Sequence, residues 1–220
     1  MFSTPNFSHI SSKDYEKIYE PAEDTFLLLD AIEKDFSFIK NRQPFICVEI
    51  GCGSGVPLVF LARVLGPSLF YICTDINRTA VQIARDTAFH NDVVVEAVET
   101  DLMSGLLPRL SNKVDILLFN PPYVPTPSDD IKFNADDPVV ASWAGGTKGR
   151  EVMDRLFPLI PHILSETGIL YLVVVAENDP PDILKTMNSY GLCAETVISR
   201  RSGPELLSVI RFTKKSIVNK

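Results

Sequence analysis

Apolar and polar residues alternate along this chain with two different periods. In EDTFLLLDAIEKDFSFI (23–39), Phe26, Leu29, Ile32 and Phe36 recur at roughly helical spacing after Pro21, which predicts one amphipathic helix. Beyond residue 44 the pattern changes to short apolar runs separated by helical stretches. FICVEIG (45–51), LFYICTDI (69–76), VVVEAVETD (93–101), VDILLFN (114–120) and GILYLVVVA (168–176) predict strands. Residues 54–65, 79–90 and 181–191 predict helices, and KGREVMDRLFPLIPHIL (148–164) predicts one that Pro158 and Pro161 kink. ETVISRR (195–201) and ELLSVIRFT (205–213) flank Ser202-Gly203-Pro204, a connection too short for a crossover, so this pair must be antiparallel.

Strands alternating with helices imply an α/β fold, with a mostly parallel sheet covered on both faces. The expected fold is a seven-stranded, doubly wound sheet closed by a C-terminal antiparallel hairpin. The 220 residues read as a mobile tail (1–18), one domain (19–214) and a short second tail (215–220), with no internal repeat.

Composition narrows the function classes. The apolar fraction of 45% and charged fraction of 22% are ordinary for a globular protein. No apolar run reaches the ~18 residues of a membrane span, and the first residues lack the layout of a secretory signal. A net charge of −7 weighs against a broad phosphate-gripping face. Cys47, Cys52, Cys73 and Cys193 show no CxxC spacing, so buried free thiols in a reducing compartment are expected, the cytoplasm first and the nucleus as the alternative. His9, His90 and His162 form no cluster in sequence; none receives a catalytic role, and no metal site is expected.

In open α/β sheets ligands bind beyond the carboxyl ends of the strands, so those positions carry the chemistry. After the first strand comes EIGCGSG (49–55), with Glu49, Gly51 and Gly53. Its glycines allow a sharp turn and close ligand approach, but Val56 stands where a dinucleotide fingerprint needs a third glycine. After the second strand, Asp75 and Ile76 follow; a carboxylate there can accept from both hydroxyls of a ribose. Asp101 and Leu102 close the third strand, where the carboxylate can accept from an adenine amino group. With no Walker lysine-serine pair, the adenosine ligand is most simply S-adenosylmethionine. After the fourth strand comes Asn120-Pro121-Pro122-Tyr123. The Asn120 side-chain oxygen and the Pro121 carbonyl can accept from the two N–H bonds of a planar nitrogen, and Tyr123 offers a face to stack on.

With TDI, EIGCGSG and NPPY, the chain resembles the Rossmann-like class I, S-adenosylmethionine-dependent methyltransferases. More narrowly it resembles the HemK-type protein-glutamine N5-methyltransferases, which act on the Gly-Gly-Gln motif of class-1 peptide chain release factors. YEPAEDTFLLLDAIE (19–33) and SWAGGTKGREVMDR (142–155) resemble the eukaryotic and archaeal branch. The resemblance implies that Thr25, Glu49, Gly51, Asp75, Asp101 and Leu102 line the cofactor site, that Asn120 serves cofactor and substrate, and that Pro121, Pro122 and Tyr123 complete the clamp. It also implies a small zinc-binding activator subunit. The bacterial members' long N-terminal helical domain has no counterpart here, so their docking mode does not carry over.

In this fold's strand order VVVEAVET (93–100) lies at the sheet edge, an apolar strand inviting a partner's strand. The chain alone is expected to be poorly soluble or inactive. Residues 125–143 are expected to line the substrate channel as a mobile lid, whose Asp129, Asp130, Asp136 and Asp137 can meet a basic peptide or simply face solvent. Competing readings are a DNA or RNA adenine-N6 methyltransferase, a protein-lysine methyltransferase and a nonenzymatic adaptor; a dehydrogenase lacks both its third glycine and an acid–base pair.

Overall fold

The computed structural model describes residues 2–129 and 138–215. Among these, seven strands form one sheet: β1 Ile46–Ile50, β2 Phe70–Asp75, β3 Glu96–Glu99, β4 Val114–Phe119, β5 Leu164–Val175, β6 Leu192–Ser202 and β7 Glu205–Lys214. They lie in the order β3-β2-β1-β4-β5-β7-β6. The first five pair in parallel, and β7 runs antiparallel to both β5 and β6. The expected mostly parallel sheet with its reversed C-terminal hairpin is present. The helices are α1 Glu23–Lys34, α2 Phe36–Asn41, α3 Val56–Leu65, α4 Arg78–Phe89, α5 Pro138–Trp143, α6 Glu151–Leu156, α7 Ile160–Ile163 and α8 Pro180–Ser189.

The continuous apolar runs occupy the centre of the sheet because both faces there are covered. Leu117, Leu118 and Phe119 on β4 and Leu170 to Val174 on β5 are fully buried, together with Phe157 and Phe212. Burying each such side chain contributes about 1.5–3 kcal/mol. α4 buries Ala80, Ile83, Ala84 and Thr87, one helical stripe, and starts where the Asn77 side chain accepts from the Thr79 N–H at 2.9 Å.

Several elements depart from the sequence expectation for identifiable reasons. The single helix over 23–39 is broken at Asp35 (φ −91°, ψ 8°). The Asp35 carboxylate is drawn to the sheet by the Tyr171 hydroxyl at 2.9 Å and the Arg211 guanidinium at 2.5 Å. The helix over 148–164 is split into α6, a 3-10 turn at Phe157–Leu159 and α7, as two prolines without N–H donors require. β3 is shorter than expected because the Val93 N–H goes to the Ala88 carbonyl at the end of α4, at 3.1 Å.

Residues 2–18, expected as a mobile tail, are folded in turns against α4. Asn6 and Asn91 clasp each other reciprocally: each backbone or side-chain N–H donates to the other residue at 2.7 Å. Ile10 and Ile18 are buried with Ala80 and Ile83. The rings of His9 and His90 stack at 4.3 Å, so two of the three histidines do come together. The sequence hides this contact because the partners are separated by most of β1–α4.

The strand order places the functional region. β4 lies beside β1 but on the side away from β2, so strand order reverses between them. The register sets Ile50 opposite Phe119, which puts Gly51 and Asn120 next to each other past the strand ends.

Candidate active site

The turn after β1 is held by its neighbours rather than by its own glycines. The Gly51 N–H donates to the Thr74 carbonyl at 2.8 Å, and the Gly53 N–H donates to Asp75 Oδ2 at 3.0 Å. Both glycines have positive φ (66° and 48°), and a Cβ on either would meet nothing within 4 Å, so the turn is an open cradle. Glu49 is fully enclosed, and its carboxyl accepts from the Leu58 N–H of α3 at 3.1 Å. Burial raises its pKa well above the ordinary glutamate value. Asp75 is also raised by burial, offset in part by N–H groups of Asn77, Gly53 and Ile76. Glu49 and Asp75 thus organise the turn as well as facing the space in front of it.

That space is a cavity of about 510 Å³ at the β1–β4 switch point. Every position nominated from the sequence, from Thr25 on α1 through the ends of β1, β2 and β3 to Tyr123 after β4, lines this one cavity. Ile76 is 66% exposed and presents an apolar side chain at its rim. Trp143, the sole tryptophan, also lines this cavity, together with Ala141 and Ser142 at the end of the 125–143 loop. Asp130, Asp136 and Asp137 lie outside the described residues.

At the Asn-Pro-Pro-Tyr segment a residue that the sequence reading passed over proves central. Asp24, only 3% exposed, accepts from Asn120 Nδ2 at 2.9 Å and from the Tyr123 hydroxyl at 3.2 Å, both on Oδ2. The Asn120 Oδ1 is buried without a hydrogen-bond partner among the described residues. A buried carbonyl with no donor costs about 1–3 kcal/mol, so this atom marks a place for one. Among the described residues the Pro121 carbonyl also receives no backbone hydrogen bond. Tyr123 is buried; its hydroxyl is pushed up in pKa by burial and then by Asp24. Tyr19 touches both Tyr123 and Asp24, and burial and Asp24 raise it to about 12. The signal for Asp24 was present: it falls in phase with Leu27, Leu28 and Ala31 on the buried stripe of α1.

The WAGG-to-KGR stretch acts as a brace behind this segment. Val124 bridges to Ala144, and the Gly145 N–H donates to the Val124 carbonyl at 2.8 Å. A Cβ on Gly145 would meet the Pro122 carbonyl at 2.5 Å, so only glycine lets the two backbones approach. Asn178, fully buried, donates from Nδ2 to the Tyr123 carbonyl at 2.8 Å and to the Lys148 carbonyl at 2.9 Å. The chain path through the clamp is therefore fixed from behind.

Asp101 lines the cavity with a partner that its sequence position does not show. Its carboxylate is paired with Arg155 of α6, which also lines the cavity, so it is not free to serve a purine alone. A carboxylate offers about four acceptor positions, which leaves room for a second donor. Among the described residues no group of three or more His, Cys, Asp or Glu is placed to hold a metal, and no helix is long and apolar enough to cross a membrane.

Comparison with known proteins agrees with this geometry. Residues 23–134 match the model of the methyltransferase small domain family. The chain is 50% identical over 213 residues to the human protein named methyltransferase HEMK2, with 97% of each chain covered. It is 36% identical over 224 residues to the eRF1 methyltransferase catalytic subunit mtq2 of Schizosaccharomyces pombe, with 96% of each covered. Among solved structures it resembles a chain of the E. cuniculi Mtq2–Trm112 complex, described as responsible for methylating the eRF1 translation termination factor. That match has a TM-score of 0.66 at 28% identity and covers 90% of this chain and 99% of the other.

Proposed function

Since this chain belongs to the methyltransferase small domain family, in its HemK-type branch, we propose that it methylates the glutamine side-chain nitrogen of the Gly-Gly-Gln motif in a class-1 translation release factor. In this reading it uses S-adenosylmethionine and works as the catalytic subunit of a heterodimer. The observation that carries the reading is the partnerless Asn120 Oδ1, set one strand away from the glycine cradle.

The residues present fit the cofactor. The Gly51–Gly53 cradle is open, Asp75 stands at the end of β2 with carboxylate oxygens for ribose hydroxyls, and Ile76 gives a purine an apolar surface. Thr25, Glu49 and Leu102 complete that half of the wall, and a cavity near 510 Å³ suits a ligand of this size. The cofactor supplies a methyl group on a positively charged sulfur. The chain supplies position. An amide nitrogen is a poor nucleophile because its lone pair is delocalised, so it must be aimed. Asn120 Oδ1 and the Pro121 carbonyl would accept from its two N–H bonds and stabilise positive charge developing on that nitrogen. Tyr123 walls the amide plane. The surplus proton leaves to water, so no general base is needed.

The partner reading rests on the exposed edge at β3. Val94, just ahead of β3, is 80% exposed, and Phe70 at the start of β2, lining the same cavity, is 56% exposed. A cavity lined by Leu69, Phe70, Val93 and Val94 runs along this edge. A strand added there by the small zinc-binding activator would cover it.

The test is to incubate the chain, its activator and S-adenosylmethionine with a class-1 release factor and map the modification by mass spectrometry. A methyl group on the glutamine of Gly-Gly-Gln is expected. Methyl transfer to unmodified DNA instead, with the release factor untouched, would overturn the reading.

A further inference from the structure

An asparagine side chain can present either edge to a ligand, and what lies behind it decides which. Behind Asn120 lies Asp24. The hydrogen bonds that reach Asp24 come from donors: the Thr25 N–H at 2.8 Å on Oδ1, and Asn120 Nδ2 and the Tyr123 hydroxyl on Oδ2. These donors, together with the Thr25 hydroxyl at 3.5 Å on Oδ1 and the neighbouring Tyr19 hydroxyl, require the carboxyl to act as acceptor. The Asn120 NH2 edge is consequently committed backward, and its Oδ1 turns forward. The Tyr123 hydroxyl spends its one proton on the same atom and also touches Tyr19, so it has no proton left to offer a ligand. Pro121, whose carbonyl receives no backbone hydrogen bond among the described residues, also lines the cavity.

We propose that Asp24 is a positioning residue that sets the polarity of the clamp, so that the cavity admits a carboxamide NH2 and excludes the carboxylate of the matching acid. This rests on the reading of the chain as a glutamine methyltransferase. Glutamine and glutamate have nearly the same shape; only the direction of hydrogen bonding and the charge separate them. A wall made of acceptors pairs with the N–H2 of one and opposes the oxygens of the other. Once methylated, the product keeps a single N–H and fills only one acceptor, which favours release.

The experiment uses the heterodimer, S-adenosylmethionine and a release factor, with the same factor carrying glutamate in place of the target glutamine as competitor. Asp24→Asn preserves shape but allows the residue to donate, so Asn120 can turn its NH2 forward. With the glutamine factor, kcat is expected to fall ~100-fold, the scale of a mispaired buried polar group. Cofactor affinity by calorimetry is expected to fall much less than kcat, because Asp24 bonds directly to Asn120 and Tyr123 of the clamp and reaches the cofactor wall only through Thr25. The discriminating readout is selectivity: relative to the glutamine factor's KM, inhibition by the glutamate factor should tighten ~10-fold or more in Asp24→Asn. Asp24→Glu, still an acceptor, should keep the wild-type selectivity even if slower. Should Asp24→Asn fail to fold, Asp24→Ser, which can also donate, carries the same expectation. If the wild type methylates the glutamine but the variant's selectivity is unmoved, the Asp24 assignment is wrong. If the wild type leaves the glutamine untouched, the functional reading falls and takes this proposal with it.

Discussion

Gly149 lies directly behind Tyr123: a Cβ on Gly149 would fall 1.8 Å from the Tyr123 carbonyl oxygen. Gly149 also has a positive φ of 67°. Its replacement must push the Asn-Pro-Pro-Tyr backbone forward or unfold the brace around Asn178. Gly149→Ala is expected to cost about 3 kcal/mol, the upper range for overpacking a tight site, and to remove most activity. Gly191→Ala is the control, with φ 82° but open space around it, and should cost only about 1 kcal/mol. Thermal denaturation of both variants measures the difference; equal losses would show that backbone strain alone matters at Gly149.

Asn120→Ala removes the acceptor that faces the cavity. Methyl transfer is expected to fall about 10²–10³-fold, the range for losing one oriented polar group at a developing charge. Asp24 loses a donor in the same substitution, at a stability cost of about 1–3 kcal/mol. A cooperative melt together with near-normal turnover would remove Asn120 from the reaction.

Asp75→Asn tests the cradle. The carboxylate holds the Gly53 and Asn77 N–H groups at 3.0 and 2.8 Å while facing the cavity. The amide keeps the shape but halves the accepting capacity and loses the charge. S-adenosylmethionine is expected to bind ~10–150-fold more weakly, the equivalent of one charged hydrogen bond, with kcat at saturating cofactor much less affected. Titration calorimetry separates the two.

Val94→Lys places a charge just ahead of β3 at the sheet edge, where Val94 is 80% exposed. Charged residues on edges oppose strand addition. The variant should melt within about 0.5 kcal/mol of the parent, as surface changes do, yet fail to co-purify with the activator. Undiminished heterodimer formation would move the interface elsewhere.

The His9–His90 contact predicts an acid-sensitive N-terminal segment. Burial and then His90 lower the His9 pKa below its ordinary 6.5, while Asp86 and Asp14 work the other way. With a depressed folded value, the unfolded segment takes up the proton first. The stabilisation present above 6.5 is therefore lost as pH falls through the folded value. The Ile10 and Ile18 N–H groups, bonded to the Phe7 and Asp14 carbonyls, should exchange faster near pH ~5.5 than near ~7.5 after correction for intrinsic rates. His9→Gln should flatten that difference.

The sheet was legible in the sequence because its central strands are buried on both faces and so read as unbroken apolar runs, as in Ile169 to Val175. The cavity wall was legible because Asp75, Asp101 and Asn120 each lie at or just past the end of a strand, a position that a pattern can locate. What depends on long-range pairing was not. Asp35 breaks the first helix for the sake of Tyr171 and Arg211, more than a hundred residues away. Arg155 meets Asp101 across a gap of 54 residues. Asp24 sat in view within PAEDT, but an acid at a helix start reads first as a partner for the helix dipole. Only its phase with the buried stripe distinguishes it.

The pairing of Ile50 with Phe119 has a metric consequence. The glycine cradle and Asn120 each follow directly on the last residue of a strand, and adjacent strands keep a separation of about 4.8 Å. Under the proposed function the reach of the transfer is inherited largely from the sheet lattice. Surfaces around the mouth are free to diverge toward new clients while the gap that methyl must cross stays constant.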